Sequence, residues 1–308
     1  MVDPKRDDSS YPFEGICGCG VAFKLIHALS GNEEFYRNIN RYLEIVSLAT
    51  ICDIMPILDE NRIIVKNGME ILGQGNNLGM QALLEVCGLD GTKIKSSHLG
   101  FAIGPRINAS GRLGFSKLGV ELFTSDSLEE AKSLALMMDS KNTERQEVEA
   151  RIHMEVEEIL SKDTSYKDDK VLVISGKDWH HGIIGIVASK VTEKYYKPCI
   201  LLCQEGDMAV GSARSIKGFD IFSALYECRD YMTKFGGHQQ AAGMSMEVAK
   251  IALLREKINF LISDLKGGNF RLAIPREAHV TVALEEKDVE TLKNIVKNFE
   301  SEAKKIYE

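Results

Sequence analysis

Apolar positions recur near helical spacing through the first half of the chain and give way to short β-type runs in the second. Val21 to Leu29 (VAFKLIHAL) reads as a compact apolar helix. Glu33 to Ala49, Arg62 to Leu72 and Leu78 to Cys87 also carry apolar residues three and four apart. Few strands stand out before residue 125. Helices this apolar usually cover a sheet or another layer, so the first half reads as a helical layer whose sheet is hard to find. Ser127-Leu128-Glu129-Glu130 has the S-x-x-E form of a capping box. Behind it Leu128, Ala131, Leu134, Ala135 and Met138 form one stripe, and Val148, Ile152, Val156 and Ile159 a second, separated by the polar DSKNTERQE. One helix from Ser127 to Ser161 would be about 50 Å long at 1.5 Å per residue, its polar middle spanning two bodies. Two shorter helices with a loop satisfy the pattern equally.

After Asp169 the period changes. KVLVIS (170–175), PCILLC (198–203) and Met208 to Ser212 read as strands. Gly182 to Tyr196, Ile221 to Met232 and Val248 to Leu265 read as helices, with Gly267-Gly268 as a stop. Alternating strands and helices imply an α/β domain. Ala278 to Leu284 reads as one more strand, before a charged terminal helix.

Composition narrows the class. The 308 residues suffice for two domains, and 44% hydrophobic with 27% charged residues is globular usage. No apolar run is long enough to span a membrane. The polar start MVDPKRDDSS carries no signal peptide. Seven cysteines, an odd number, point to reduced thiols and a cytoplasmic protein. The pairs Cys17/Cys19 and Cys199/Cys203 lack zinc-knuckle spacing and read as core thiols. A net charge of -7 argues against coating nucleic acid by bulk electrostatics, though it leaves room for a local basic groove.

Five stretches hold candidate chemistry. In ATICDIMPILDENR (49–62), Asp53 sits inside an apolar run, where a carboxylate is costly to bury unless paired or bound to a cation. It is a metal ligand or the cap of a helix or turn. In GPRINASGRLG (104–114), a loop-like stretch, Arg106 and Arg112 either grip phosphate or pair with acids on neighbouring helices. DWHHGIIGIVASK (178–190) leaves a strand and enters a helix, with Gly182 and Gly185 allowing close packing. Adjacent His180 and His181 do not make a zinc pair. GSARS (211–215) brings Ser212, Arg214 and Ser215 to a strand end. In KFGGHQQAAG (234–243), Gly236 and Gly237 permit positive φ and bare backbone, with His238 next to them. This is a glycine-thinned turn offering an anion a backbone and an imidazole, or a tight turn with a satisfied histidine. Taken with GSARS, it predicts that Arg214 and His238 share one anion cradle.

In order and spacing these stretches resemble the RecJ-type single-strand-specific DNA exonucleases of the DHH/DHHA1 phosphoesterase superfamily, over about Asp3 to Leu265. VDPKRDDSSYPFEGICGCGVAFKL is similar to the stretch after that family's Asp-His-His motif. The resemblance implies 5′-to-3′ hydrolysis of single-stranded DNA with two Mn2+ or Mg2+ ions. It implies Asp53 as catalytic metal ligand, Arg214, Ser212, Ser215, Gly236, Gly237 and His238 as substrate contacts, and Arg106 and Arg112 near the substrate. The implied layout is the C-terminal part of a DHH domain (1–125), a connecting helix (126–162), a DHHA1 domain with a mixed sheet (163–268) and a tail (269–308), an α/β fold overall. The family's D-x-D pair, a second Asp and Asp-His-His have no counterpart here, and DWHHG belongs to the DHHA1 half. One carboxylate cannot hold two divalent cations. The tail also lacks a match to the family's OB-fold. The expectation is therefore an N-terminally truncated nuclease, short at its C-terminus and inactive alone. The alternatives are a non-catalytic single-strand-binding module, or a phosphoesterase acting on short oligonucleotides or cyclic dinucleotides.

Overall fold

A computed structural model describes residues 2–261, 264–267, 278–281 and 289–297. It divides into two compact units, residues 1–147 and 148–308, and each is treated by itself.

The first unit is helical, with no strand among its described residues. Helix α1 (Gly18–Cys52) is bent at Gly31, whose φ of 72° and ψ of 169° break it into arms 18–30 and 32–52. Glycine takes that positive φ at little cost. The arms fold together: Phe23 lies against Phe35 with ring centres 4.9 Å apart, and Cys17 Sγ comes within 3.7 Å of Thr50 Oγ1. The two apolar periodicities before residue 50 are these two arms. Next come α2 (Asp59–Ile71), α3 (Leu78–Val86), the single turn α4 (Ser96–His98), a π-helical turn (Leu99–Ile103), α5 (Gly104–Arg112) and α6 (Lys117–Thr124).

GPRINASGRLG is thus a helix and not a loop. Pro105 falls in its first turn, where a missing N–H costs nothing, and the π-turn leads directly into it. The core gathers Leu48, Met80, Leu83, Leu99, Ile103, Leu122 and Met138.

Helix α7 (Leu128–Lys162) is one continuous element of 35 residues. The Ser127 hydroxyl accepts from Glu130 N at 3.3 Å, as the capping box requires. The polar middle has no Gly or Pro and several strong helix formers, so it does not break. The helix crosses from the first unit into the second. Ala131, Ala135 and Met138 are buried in the first core, while Ile152 and Val156 are buried beyond the division.

The second unit is built on a mixed five-stranded sheet in the order β1-β2-β3-β5-β4. Its strands are β1 (Leu172–Lys177), β2 (Cys199–Glu205), β3 (Met208–Arg214), β4 (Met232–His238) and β5 (Ala241–Glu247). β1 and β2 are parallel, and the other pairs are antiparallel. Helix α8 (His181–Tyr195) packs over β2 and β3. On the other face, α9 (Ile221–Tyr226) and α10 (Ile251–Leu261) close a core of Ile200, Leu202, Ile221, Leu225, Met244, Met246 and Leu254.

Three boundaries differ from the sequence expectation. The helix expected to run to Met232 stops at Tyr226, because Met232 is drawn into the ladder opposite Met246. The helix expected over 248–265 spans Ile251–Leu261, and Asp264–Gly267 forms β6, paired with β7 (Ala278–Thr281). KFGGH is strand β4 and not a turn; the reversal lies at Gln239-Gln240. Residue 268 and most of the 269–308 tail lie outside the described residues, though 289–297 is helical.

Candidate nucleic-acid interface

The register of three strands builds the site. Arg214 on β3 lies opposite Ala241 on β5, and Ala241 lies opposite His238 on β4. Directly opposed residues present side chains to the same face, so Arg214 and His238 share one face two strand spacings apart, roughly 10 Å. The next row is Ser212, Gly243 and Gly236. This is the face over which α8 covers β2 and β3: a Cβ on Gly185 would lie 2.9 Å from Arg214 Nη2 and 2.9 Å from Ser212 Oγ. Over β5 and β4 no described element covers the face. Gly236, Gly243 and His238 are exposed, and a Cβ on Gly236 would meet nothing within 4 Å. The result is a bare glycine floor, with a guanidinium beneath the helix on one side and an imidazole on the edge strand.

Each polar group is aimed by a local bond. Arg214 Nη1 donates to Ser212 Oγ at 3.0 Å and to Ala213 O at 2.7 Å, which fixes the guanidinium against the strand. His238 Nδ1 accepts from Gln240 N at 3.3 Å, which leaves the ring proton on Nε2 as an outward donor. The first turn of α8 is capped by His180, whose Nδ1 accepts from Gly182 N at 3.1 Å.

Two of the expected contacts sit differently. Gly237, opposite Ala242, belongs to the other face. Its φ is 154° and a Cβ would strike Ala241 O at 2.4 Å, so its glycine is a backbone requirement. Ser215 lies past β3, where its hydroxyl donates to Phe219 O at 2.7 Å and its N–H to Gln240 O at 3.0 Å. It clamps the loop to the β4–β5 reversal and does not join the floor.

Asp53, Arg106 and Arg112 belong to the first unit. Asp53 is not buried: it is exposed at the C-cap of α1, and the apolar run around it is exposed too, Ile54 by 90% and Leu58 by 62%. A carboxylate at the negative end of a helix is electrostatically unfavourable without a cation. It borders a cavity of about 230 Å³ with Cys52, Gly104 and Asn108. Burial, with a smaller push from the neighbouring Asp53 charge, raises the Cys19 and Cys52 thiols to about 11. Arg106 Nε donates to Asp139 Oδ1 at 2.8 Å and Nη1 to Ala102 O at 2.7 Å, so this arginine pairs with an acid on a neighbouring helix. Arg112 is exposed in the last turn of α5.

Sequence reading gave Gly185 as a close-packing position without its seat over Arg214, and it missed Asn108. Asn108 stands one helical turn past Gly104, a spacing obscured by reading the stretch as a loop.

Residues 168–264 match the DHHA1 domain family. The Peptidase dimerisation domain family matches 238–308, a span that is only partly described. The single-stranded-DNA-specific exonuclease RecJ of Bacillus subtilis is 38% identical over 261 residues, 84% of this chain and 32% of the relative. RecJ of Escherichia coli is 34% identical over 285 residues, 86% of this chain and 49% of the relative. The chain belongs to the RecJ family. It spans about a third to a half of the length of these curated RecJ relatives. The crystal structure of RecJ with Mg2+ from Thermus thermophilus superposes with a TM-score of 0.70 at 27% identity, covering 81% of this chain and 38% of that one. The same protein is also known with Mn2+.

The RecJ relatives solved with divalent cations invite a test of this chain's own donors. Among the described residues no group of three or more His, Cys, Asp or Glu could hold a metal ion. Asp53 alone does not fit a two-cation centre, which needs several ligands for each ion.

Proposed function

We propose that this chain is the strand-holding portion of a RecJ-type exonuclease, gripping single-stranded DNA by its phosphates across the open β3-β5-β4 face. Arg214 contributes a planar two-pronged donor to a phosphate, and His238 Nε2–H a second donor from the opposite side. The glycine floor lets the sugar-phosphate backbone come close to the sheet. The observation that carries this reading is the row Arg214–Ala241–His238, which brings two separate sequence stretches to one face.

Phosphodiester hydrolysis in the family is assigned to Mn2+ or Mg2+, which supply Lewis acidity and an activated water. The described residues do not provide such a centre, so no hydrolytic step is assigned to them. In this reading Asp53 is a lone carboxylate poised for a cation that other ligands must help to hold.

Titration of a fluorescent single-stranded oligonucleotide tests the grip. Arg214→Ala should lose about 1.5–3 kcal/mol, the worth of a hydrogen bond to a charged group. Unchanged affinity would sink the proposal. With Mn2+ supplied, the chain should bind a labelled strand without releasing mononucleotides; robust turnover would overturn the donor-set argument.

A further inference from the structure

The strand that carries His238 also carries a lysine whose direction is set by a local irregularity. β4 and β5 run in step from Lys234 to His238, with Lys234 opposite Ser245, Gly236 opposite Gly243 and His238 opposite Ala241. The register slips between Met232 and Lys234, where Thr233 is the extra residue. Strict alternation would send Met232 and Lys234 to the same side. The bulge separates them: Met232 stays with buried Met246 against the core, and Lys234 turns to the open face in the row Val210–Ser245–Lys234. The Thr233 hydroxyl donates to Ser245 O at 3.0 Å and pins the bulge. A bulge interrupts the ladder and re-aims the side chain that follows it. Lys234 is exposed.

We propose that Lys234 is a second phosphate contact, so that this face holds a run of about three nucleotides and not one terminal phosphate. This rests on the reading that the face grips single-stranded DNA. Lys234 and the Arg214–His238 row are four residues apart along β4, about 13 Å, with Gly236 midway at about 6.6 Å from each. Each half-step is comparable with the spacing of neighbouring phosphates on an extended strand. One phosphate sits at Arg214 and His238, the next passes over the Gly236–Gly243 floor, where there is no side chain to block it, and the third meets the Lys234 ammonium. The flexible stem of lysine suits a point-charge contact at the far end of the run, while the fixed fork of Arg214 anchors the near end.

The test compares 5′-phosphorylated thymidylates two and four nucleotides long, displacing a labelled strand from the full chain. Lys234→Ala should weaken the four-nucleotide ligand about tenfold and leave the two-nucleotide ligand within about twofold. The slope of log affinity against log salt for the longer ligand should shrink by about 0.7, the contribution of one neutralised phosphate on a single strand. Lys234→Arg should restore both quantities, and an unchanged melting temperature certifies the fold of both variants. Equal losses at the two lengths, or no loss at four nucleotides, would overturn the role of Lys234 while a drop on Arg214→Ala still upholds the grip. No drop on Arg214→Ala would overturn the grip itself.

Discussion

At the scale of single residues, two positions in the first unit depart from what an isolated chain would choose. Ile54 closes α1 in a left-handed conformation, φ 54°, with Ile54 N bonded to Ile51 O and Met55 N to Thr50 O, both at 3.1 Å. That pair of bonds is the Schellman closure, which ordinarily carries glycine at this place. A β-branched residue pays about 1–2 kcal/mol to sit there, and at 90% exposure Ile54 gains no packing in return. Ile54→Gly should therefore raise stability by about 1 kcal/mol in urea unfolding, despite glycine's greater freedom in the unfolded chain. Glu44 is the second. It is buried, its Oε2 has no hydrogen-bond partner among the described residues, and its other oxygen accepts weakly from Asn76 Nδ2 at 3.5 Å. Burial raises its carboxyl from 4.5 to about 7, against smaller opposing hydrogen bonds from Asn76 and the Gly73 and Asn77 amides. The folded state thus holds a proton that the unfolded state releases. Stability should be highest below pH 4.5 for this group, fall as pH rises to about 7, and level off above. Glu44→Gln should flatten that part of the pH profile and melt higher than wild type at about pH 8, above the folded-state value. An unchanged profile would show that Glu44 is not the group responsible.

At the scale of elements, the pairing of β4 with β5 and the seating of α8 on β3 do most to define the candidate interface. Gly185 lets the helix lie directly over Arg214 and Ser212. Gly185→Ala would place a methyl where the guanidinium end now rests, and that flexible end can move aside. The expected outcome is a loss of oligonucleotide affinity approaching that of Arg214→Ala, with a melting temperature close to wild type. Affinity equal to wild type would mean that the seated position of Arg214 is not the binding one. Much of this level was legible in sequence. The alternation of small and large residues in AAGMSM fixes a strand with Ala242, Met244 and Met246 inward. KFGGH was harder, because paired glycines favour turns when only local propensity is weighed; the ladder with β5 overrides that preference. The same override shortened α9. GPRINASGRLG misled in the opposite direction, since its glycines and asparagine read as a loop while Pro105 at the first turn and the preceding π-turn make it a helix.

At the scale of the whole molecule, a net charge of -7 coexists with a compact basic row. Binding by a few fixed contacts predicts a shallow salt dependence. The slope of log affinity against log salt should be near about -1.4, at about 0.7 per neutralised phosphate on a single strand for the Arg214 and Lys234 contacts. A much steeper slope would indicate a broad electrostatic coat that the charge balance does not support. The sequence by itself determined the helical first unit, the α/β second unit, the capped start of α7 and the family, because periodicity, capping and ordered motifs are local along the chain. Only tertiary structure decided that Arg214 and His238 share a face, that Ser215 and Gly237 stand off it, and that Asp53 is exposed. Those facts depend on strand register and on which surfaces other elements cover, and a one-residue slip would have reversed the faces without changing a single local propensity.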